Sequence, residues 1–269
     1  MKKKEVKERI QKSKAKWLTM GIGLTLLVLG VVLTLVTRAG ALAEEAATGA
    51  KIPFALGLIM ILVGIVVPII GALPERKPTD VRTLSMAALF AALCYIGFSY
   101  CKIDIPVGME KTAFHLGNVF CVLAALFLGG LWGGMAGAVG MTIADLTTAY
   151  VTSAPKTFLL KLCIGLITGF MAHKIFKISQ DKEDRKLPIT AATAISCAAG
   201  MGFNIVADPL VGYFYKMYVL GVPQEAANIW AKIGAVTTSV NAVVAVIAAT
   251  VLYVALRKAM KRTNLLPKL

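Results

Sequence analysis

The chain has 269 residues, 58% of them hydrophobic, and a mean hydropathy of +0.76. Apolar runs of about 20 residues, enough helix to cross a bilayer core of roughly 30 Å, recur along it and exclude an ordinary soluble domain. The net charge of +15 would suggest nucleic acid in a soluble protein, but here the bases gather at the ends of the apolar runs and no recognition motif accompanies them.

The runs are continuous and rich in Leu, Ala and Gly, without the alternation of a membrane barrel, so the predicted fold class is an all-α polytopic membrane protein in a lipid bilayer. Eight spans can be drawn: 17–37, 52–73, 83–100, 114–131, 134–150, 156–177, 188–208 and 229–256. The first follows a basic stretch and is too long for a signal-peptide core, so it reads as a retained helix. The second carries Pro68, a candidate kink. "GALPERKPTD", 71–80, is a polar, proline-bearing linker. It separates an accessory hairpin with a basic N-terminus (1–75) from a six-helix core with a basic C-terminal tail (76–269). Lys and Arg concentrate in 1–16, 74–82, 174–187 and 257–269 and are sparse in 38–51 and 101–113. That asymmetry puts both termini in the cytoplasm, in agreement with an even number of spans.

In the first core helix, "RTLSMAALFAALCY" spaces Ala87 from Ala91 and Ala88 from Ala92 by four residues, which suits close helix approach. "CKIDIPVGMEKTAFHLGN" reads as an outer loop with Asp104, Glu110 and Lys111, leading into a helix that carries His115 and Asn118 on one face. Those two either bond to neighbouring helices or contact a ligand. "LFLGGLWGGMAGAVG" predicts a tight helical hairpin turning at "WGG". Gly130–Gly134, Gly133–Gly137 and Ala136–Gly140 pack it or form a subunit contact.

"MTIADLTTAYVTSAPKTFLLKL" places Asp145 and Lys161 at matched depth, about 9 Å below the turn, on adjacent antiparallel helices, with Lys156 snorkelling at the rim. Asp145 is too short to snorkel and needs a partner or a wet cavity. Either the two charges pair structurally, or they floor an outward-facing cavity. "MGFNIVADPLVGYFYKMYVLGVP" adds Asn204 and Asp208, then a predicted loop with Tyr213, Phe214, Tyr215 and Tyr218. Asn228 and Trp230 open the last helix, with Asn241 deeper. Interfacial anchoring accounts for the aromatics, and a polar-edged heterocycle would use the same groups for stacking and in-plane hydrogen bonds.

Chemistry is argued against by what the chain lacks. It has no GxxxxGK[ST], HExxH or GxSxG, and His173 reads as interfacial. The five cysteines, Cys94, Cys101, Cys121, Cys163 and Cys197, have no CxxC spacing. No enzyme, cofactor or metal site is expected. No chain of mid-membrane acids marks a proton pump. The alternative to a binding subunit is a self-sufficient secondary transporter that uses Asp145 and Lys161 as a coupling pair.

Residues 82–257 resemble the substrate-binding S components of energy-coupling factor (ECF) vitamin transporters. The resemblance rests on "RTLSMAALFAAL", on "FHLGNVFCVLAALFLGGLWGGMAGAVG", and on "ADLTTAYVTSAPKTFLLKLCIGLITGF" with its Tyr150. It implies six helices around an outward-opening pocket for a small heterocyclic vitamin or precursor of the pyridoxine, hydroxymethylpyrimidine or riboflavin class. The pocket would be covered by a lid at 101–113. The implied partners are a transmembrane coupling subunit, meeting Ala87, Ala88, Ala91 and Ala92, and two cytoplasmic ATPases. The setting is the plasma membrane of a prokaryote, with no nucleic-acid partner. The candidate substrate-binding residues are His115, Asn118, Asp145, Tyr150, Lys161, Asn204, Asp208, Trp230 and Asn241. The N-terminal hairpin departs from the usual S component.

Overall fold

The computed structural model describes residues 2–41, positions 53, 56–57, 60–61 and 63–64, then 81–107, 110–179 and 187–263. Among these residues, six helical stretches are long and apolar enough to cross a membrane: Trp17–Thr37, Val81–Ser99, Gly117–Thr147, Val151–Ile175, Ile189–Leu220 and Gln224–Arg262. The expected second span, 52–73, falls largely outside the described residues. By its contacts the chain divides into two compact units, Met1–Pro78 with Tyr218–Gly221, and the remainder.

In the first unit, helix α1 (Lys2–Ala41) packs against the helical positions 57, 60, 61 and 64 through glycines. A methyl group on Gly30 would stand 2.6 Å from the Ile61 nitrogen, and one on Gly64 would stand 2.5 Å from that of Leu27. Without a hydrophobic drive between helices in lipid, such backbone approach supplies the packing. Thr34 is buried there and donates its hydroxyl to the Gly30 carbonyl (2.7 Å), which satisfies it without a partner helix.

The second unit begins with α2 (Val81–Ser99), followed by an antiparallel hairpin of β1 (Lys102–Val107) and β2 (Glu110–His115). The register pairs Lys102 with His115 and Val107 with Glu110. The predicted irregular loop is therefore a sheet. His115 closes β2 instead of lying on a helix with Asn118. Leu116 is the N-cap and the helix starts at Gly117, because β2 needs His115 to complete its ladder with Lys102.

The stretch Gly117–Thr147 is broken at Gly129, whose φ of 80° only glycine adopts without strain. Chain reversal follows from the contacts. A methyl on Gly133 would fall on the Ala125 backbone, and one on Gly137 on Cys121. In a straight helix those pairs would be about 12 Å and 24 Å apart. We call the arms α3 (117–128) and α4 (130–147). The expected tight hairpin is present, but it turns at Gly129 rather than at "WGG", because Trp132 and its neighbours are already helical. At about 18 Å, α3 alone is too short for a bilayer core of roughly 30 Å.

Helix α5 (Ala154–Phe170) carries Pro155 in its first turn, where a missing N–H costs nothing, and ends in a π-helical turn, Met171–Ile175. Helix α6 (Ile189–Phe214) continues through Pro209 and runs on as a π-helix, Tyr215–Leu220. The predicted aromatic loop is thus helical. Helix α7 (Gln224–Arg262) ends on Lys261 and Arg262, which suit the negative end of its dipole.

Phe127 lies at the centre of the core, 1% exposed, with ring centroids 6.0 Å from Phe90 and 4.8 Å from Tyr253. At the end of the unit where α3 turns, His173 binds the Ala125 carbonyl through Nε2 (3.1 Å) and Ser179 through Nδ1 (2.6 Å). A carbonyl can only accept, so Nε2 carries the proton and Nδ1 accepts from the serine. Arg257 donates to the Ile178 carbonyl at 2.9 Å and ties α7 to the same corner. That end is structural, and the cavity is at the other.

Candidate functional site

Helical spacing brings the polar residues together. On α6, Asn204, Asp208, Gly212 and Lys216 recur every four residues. On α7, Trp230, Gly234, Thr237, Thr238 and Asn241 share one face, and on α5 so do Lys156, Thr157, Leu160 and Lys161. With Asn118 at the start of α3, Met141 and Asp145 on α4, and Phe98 and Tyr150 at the connections, they line a single cavity of about 130 Å³. Lys111, Thr112, Ala113 and His115 of the β-hairpin add to its lining. All nine sequence-derived candidates face this space. Asp104 does not, the side chain of Glu110 lies outside the described residues, and Asn228, Phe214 and Tyr218 are exposed away from it.

The charges pair differently from the depth-matched expectation. Asp145 and Lys161 form no ion pair. Lys161 donates to Asn118 Oδ1 at 2.9 Å, and the Asp145 Oδ2 atom is buried without a hydrogen-bond partner. Matched depth on neighbouring helices leaves the rotational setting free, and here both groups face the same cavity without closing on each other. The observed pair is Lys156 with Asp208, Nζ to Oδ1 at 2.8 Å, with Thr238 donating to Oδ2 at 2.9 Å. Lys156 is therefore part of the cavity wall, not a snorkelling rim residue. It runs over Gly212, where a methyl would stand 3.5 Å from its ammonium. Sequence reading also missed Lys216, which is 9% exposed with its ammonium 4.2 Å from the Trp230 ring centroid. The four-residue ladder from Asp208 would have found it, had Pro209 and Gly212 not suggested a helix end.

The hairpin is fastened to α7 by side-chain hydrogen bonds. Asn241 Oδ1 accepts the His115 N–H (3.0 Å), and its Nδ2 donates to the Ala113 carbonyl (3.0 Å). One side chain thus replaces a third strand along the outer edge of β2. Thr112 and Thr237 share a hydroxyl bond of 3.2 Å beside it. On the other strand, the Tyr150 hydroxyl donates to Asp104 at 2.8 Å, and Lys102 pairs with the same carboxylate at 3.1 Å. Burial works against the Asp104 charge, but Tyr150 and Lys102 outweigh it and hold its carboxyl below the usual range. Burial and the Asp104 charge raise the Tyr150 phenol, so it stays protonated and donating. Burial, then the Lys161 charge, push His115 down to about 3, so its ring is neutral against the cavity. Its face is packed edge-on by Phe98, 4.6 Å between centroids.

Substituting Asn241 by Ala should orphan the two lid backbone groups, each worth roughly 1–3 kcal/mol when buried unpaired. Amides of 110–116 should then exchange hydrogen at least about tenfold faster, with α3 unchanged. Unchanged protection in the lid would contradict this anchoring.

Of the four alanines expected on an outward surface, Ala88 and Ala92 are exposed, but Ala87 is 7% exposed and Ala91 lies against Gly140 of α4. Adjacent four-residue pairs differ by one step of helical rotation, which here turns one pair inward.

Residues 79–258 match the family described as the ECF-type riboflavin transporter, S component. The chain belongs to this family. No curated protein and no solved structure matches it. As an S component it is a transporter subunit of multi-pass membrane character, in a family whose members take a small vitamin-like ligand.

Proposed function

We propose that the chain is the membrane-embedded, substrate-binding subunit of an ATP-driven importer for a small B-vitamin or vitamin precursor. The observation that carries this reading is the cavity itself. It is bordered by the hydrogen-bonded hairpin and lined by side chains of every helix of the second unit, and His115 Nδ1, Asp145 Oδ2 and Asn204 Oδ1 are buried around it without partners. Buried polar atoms are costly unless something completes them, and a bound ligand does so.

In this reading both termini are cytoplasmic, the lid faces outward, and the setting is a prokaryotic plasma membrane. Residues 1–75 form an accessory hairpin, and 76–269 form the substrate-binding core. A transmembrane coupling subunit docks on the exposed Ala88 and Ala92, and two cytoplasmic ATPases supply the energy. Substrate-binding roles fall to the nine cavity residues, with Lys111 at the lid margin.

The test is ligand binding without ATP. Purified protein should bind one member of a B-vitamin and precursor panel, read by tryptophan quenching and thermal shift. Vesicles with this chain alone should not accumulate that ligand, and adding the coupling subunit and ATPases should restore uptake. Binding to no panel member, or uptake on an ion gradient by the chain alone, would overturn the proposal.

A further inference from the structure

The cavity contains two buried ionisable side chains of opposite kind, Asp145 and Lys161, that make no direct ion pair with each other. Asp145 is 1% exposed and Lys161 7% exposed, and both line the same space from adjacent helices. Buried charges ordinarily close on each other, because an unpaired one bears the full cost of leaving water. Here Lys161 spends one of its three N–H bonds on a neutral amide, Asn118, and the Asp145 Oδ2 atom has no donor.

The other acid in the cavity cannot serve as the missing link. Asp208 receives Lys156 on one oxygen and Thr238 on the other. Asn204 Oδ1 repeats the pattern of an acceptor facing the cavity without a donor. A purely anionic ligand would satisfy Lys161 and be repelled by Asp145. A purely cationic one would do the reverse.

We propose that the ligand bridges these residues. It is a small, single-ring molecule with an N–H proton donor on one edge, directed to Asp145, and an anionic oxygen on another, directed to Lys161. Two further observations limit it. The cavity, of about 130 Å³, is small beside the roughly 300–1,000 Å³ that holds drug-sized molecules, which suits a one-ring ligand. The aromatic walls, Phe98, Tyr150 and Trp230, offer faces to a flat ring. The inference rests on the binding-subunit reading and narrows its ligand.

The test uses purified full-length protein in lipid nanodiscs, without ATP. The probes are pyridoxine and pyridoxamine, whose rings carry both a pyridinium N–H and a phenolate. N-methylated pyridoxine, which lacks that donor, neutral hydroxymethylpyrimidine and neutral, three-ring riboflavin complete the set. Pyridoxine or pyridoxamine should bind at least about tenfold more tightly than either neutral probe, and N-methylation should weaken binding at least about 30-fold. Asp145→Asn should lose a similar factor for the bipolar probe while the ligand-free protein melts at an unchanged or higher temperature, because a buried carboxyl with one oxygen lacking a donor is being neutralised.

Tighter binding of riboflavin or hydroxymethylpyrimidine, equal binding of the N-methylated ring, or an Asp145→Asn protein that melts lower without ligand would each overturn the inference and leave the binding-subunit reading standing. No binding by any of these probes, or by any other vitamin or precursor, would remove both.

Discussion

Replacing Gly165 with Ala should destabilise the second unit by about 2–3 kcal/mol or abolish its accumulation in the membrane, for the sake of one methyl group. The reason is the crossing of α4 and α5. A methyl on Gly165 would fall on the Gly134 backbone, and one on Gly169 on that of Gly130. From the other side, methyls on Gly134 and Gly130 would approach the carbonyls of Leu162 and Leu166 at 2.9 Å and 3.0 Å. Two four-residue glycine pairs are thus seated in each other, and what a new methyl meets is backbone, which cannot rotate away. Overpacking of this kind costs roughly 1–3 kcal/mol in soluble cores, and in lipid the close approach is itself the main attraction lost. Gly202 supplies the control. It lies in α6 with nothing within 4 Å, so Gly202→Ala should be neutral or stabilise by up to about 1 kcal/mol. Thermal unfolding in mild detergent reads both. Equal melting temperatures for the Gly165 and Gly202 variants would refute the crossing.

The same glycines mark what was legible in the sequence. The small residues of 130–140 are visible as a packing surface, but not as three surfaces. Gly130 and Gly134 meet α5, Gly133 and Gly137 meet α3, and Gly140 meets α2, where a methyl would strike the Ala91 carbonyl. Spacing of four identifies a face and does not say which neighbour fills it. The partner pair, Gly165 and Gly169, is equally plain in "CIGLITGF" and was not read.

The cavity shows a similar division. Polar residues inside apolar runs are costly, so their appearance alone picks out Asn118, Asp145, Lys161, Asn204 and Asn241, and the fold gathers them. Pairing was not legible, since depth along a helix can be counted and rotation about it depends on packing from residues far away. The lid was missed as a sheet because two six-residue strands with Pro106 in one carry little pattern of their own. It is their docking to Asn241, 126 residues beyond His115, that stabilises them.

Asp208→Ala should destabilise the ligand-free protein by about 2–3 kcal/mol, in contrast to the unchanged or higher melting temperature expected of Asp145→Asn. Both are acids in the same cavity, and their environments separate them. Asp208 accepts from Lys156 at 2.8 Å and from Thr238 at 2.9 Å, so its loss removes an ion-pair partner from one helix and a hydroxyl's acceptor from another. Breaking a fully buried pair costs roughly 3–5 kcal/mol. The side chains here keep 16% and 24% of their exposure, and water screening brings the expected figure below that range. The double change Lys156→Met with Asp208→Leu should recover most of the loss, because it removes both charges together with the cost of burying them. Melting temperatures of the two singles and the double then form a cycle with a coupling of about 2 kcal/mol. Simple additivity would mean that the ion pair does not hold α5 to α6. Recovery of stability without recovery of ligand binding would place Lys156 and Asp208 in the binding wall as well, where the four-residue ladder of α6 brings Asp208 into line with Asn204 and Lys216.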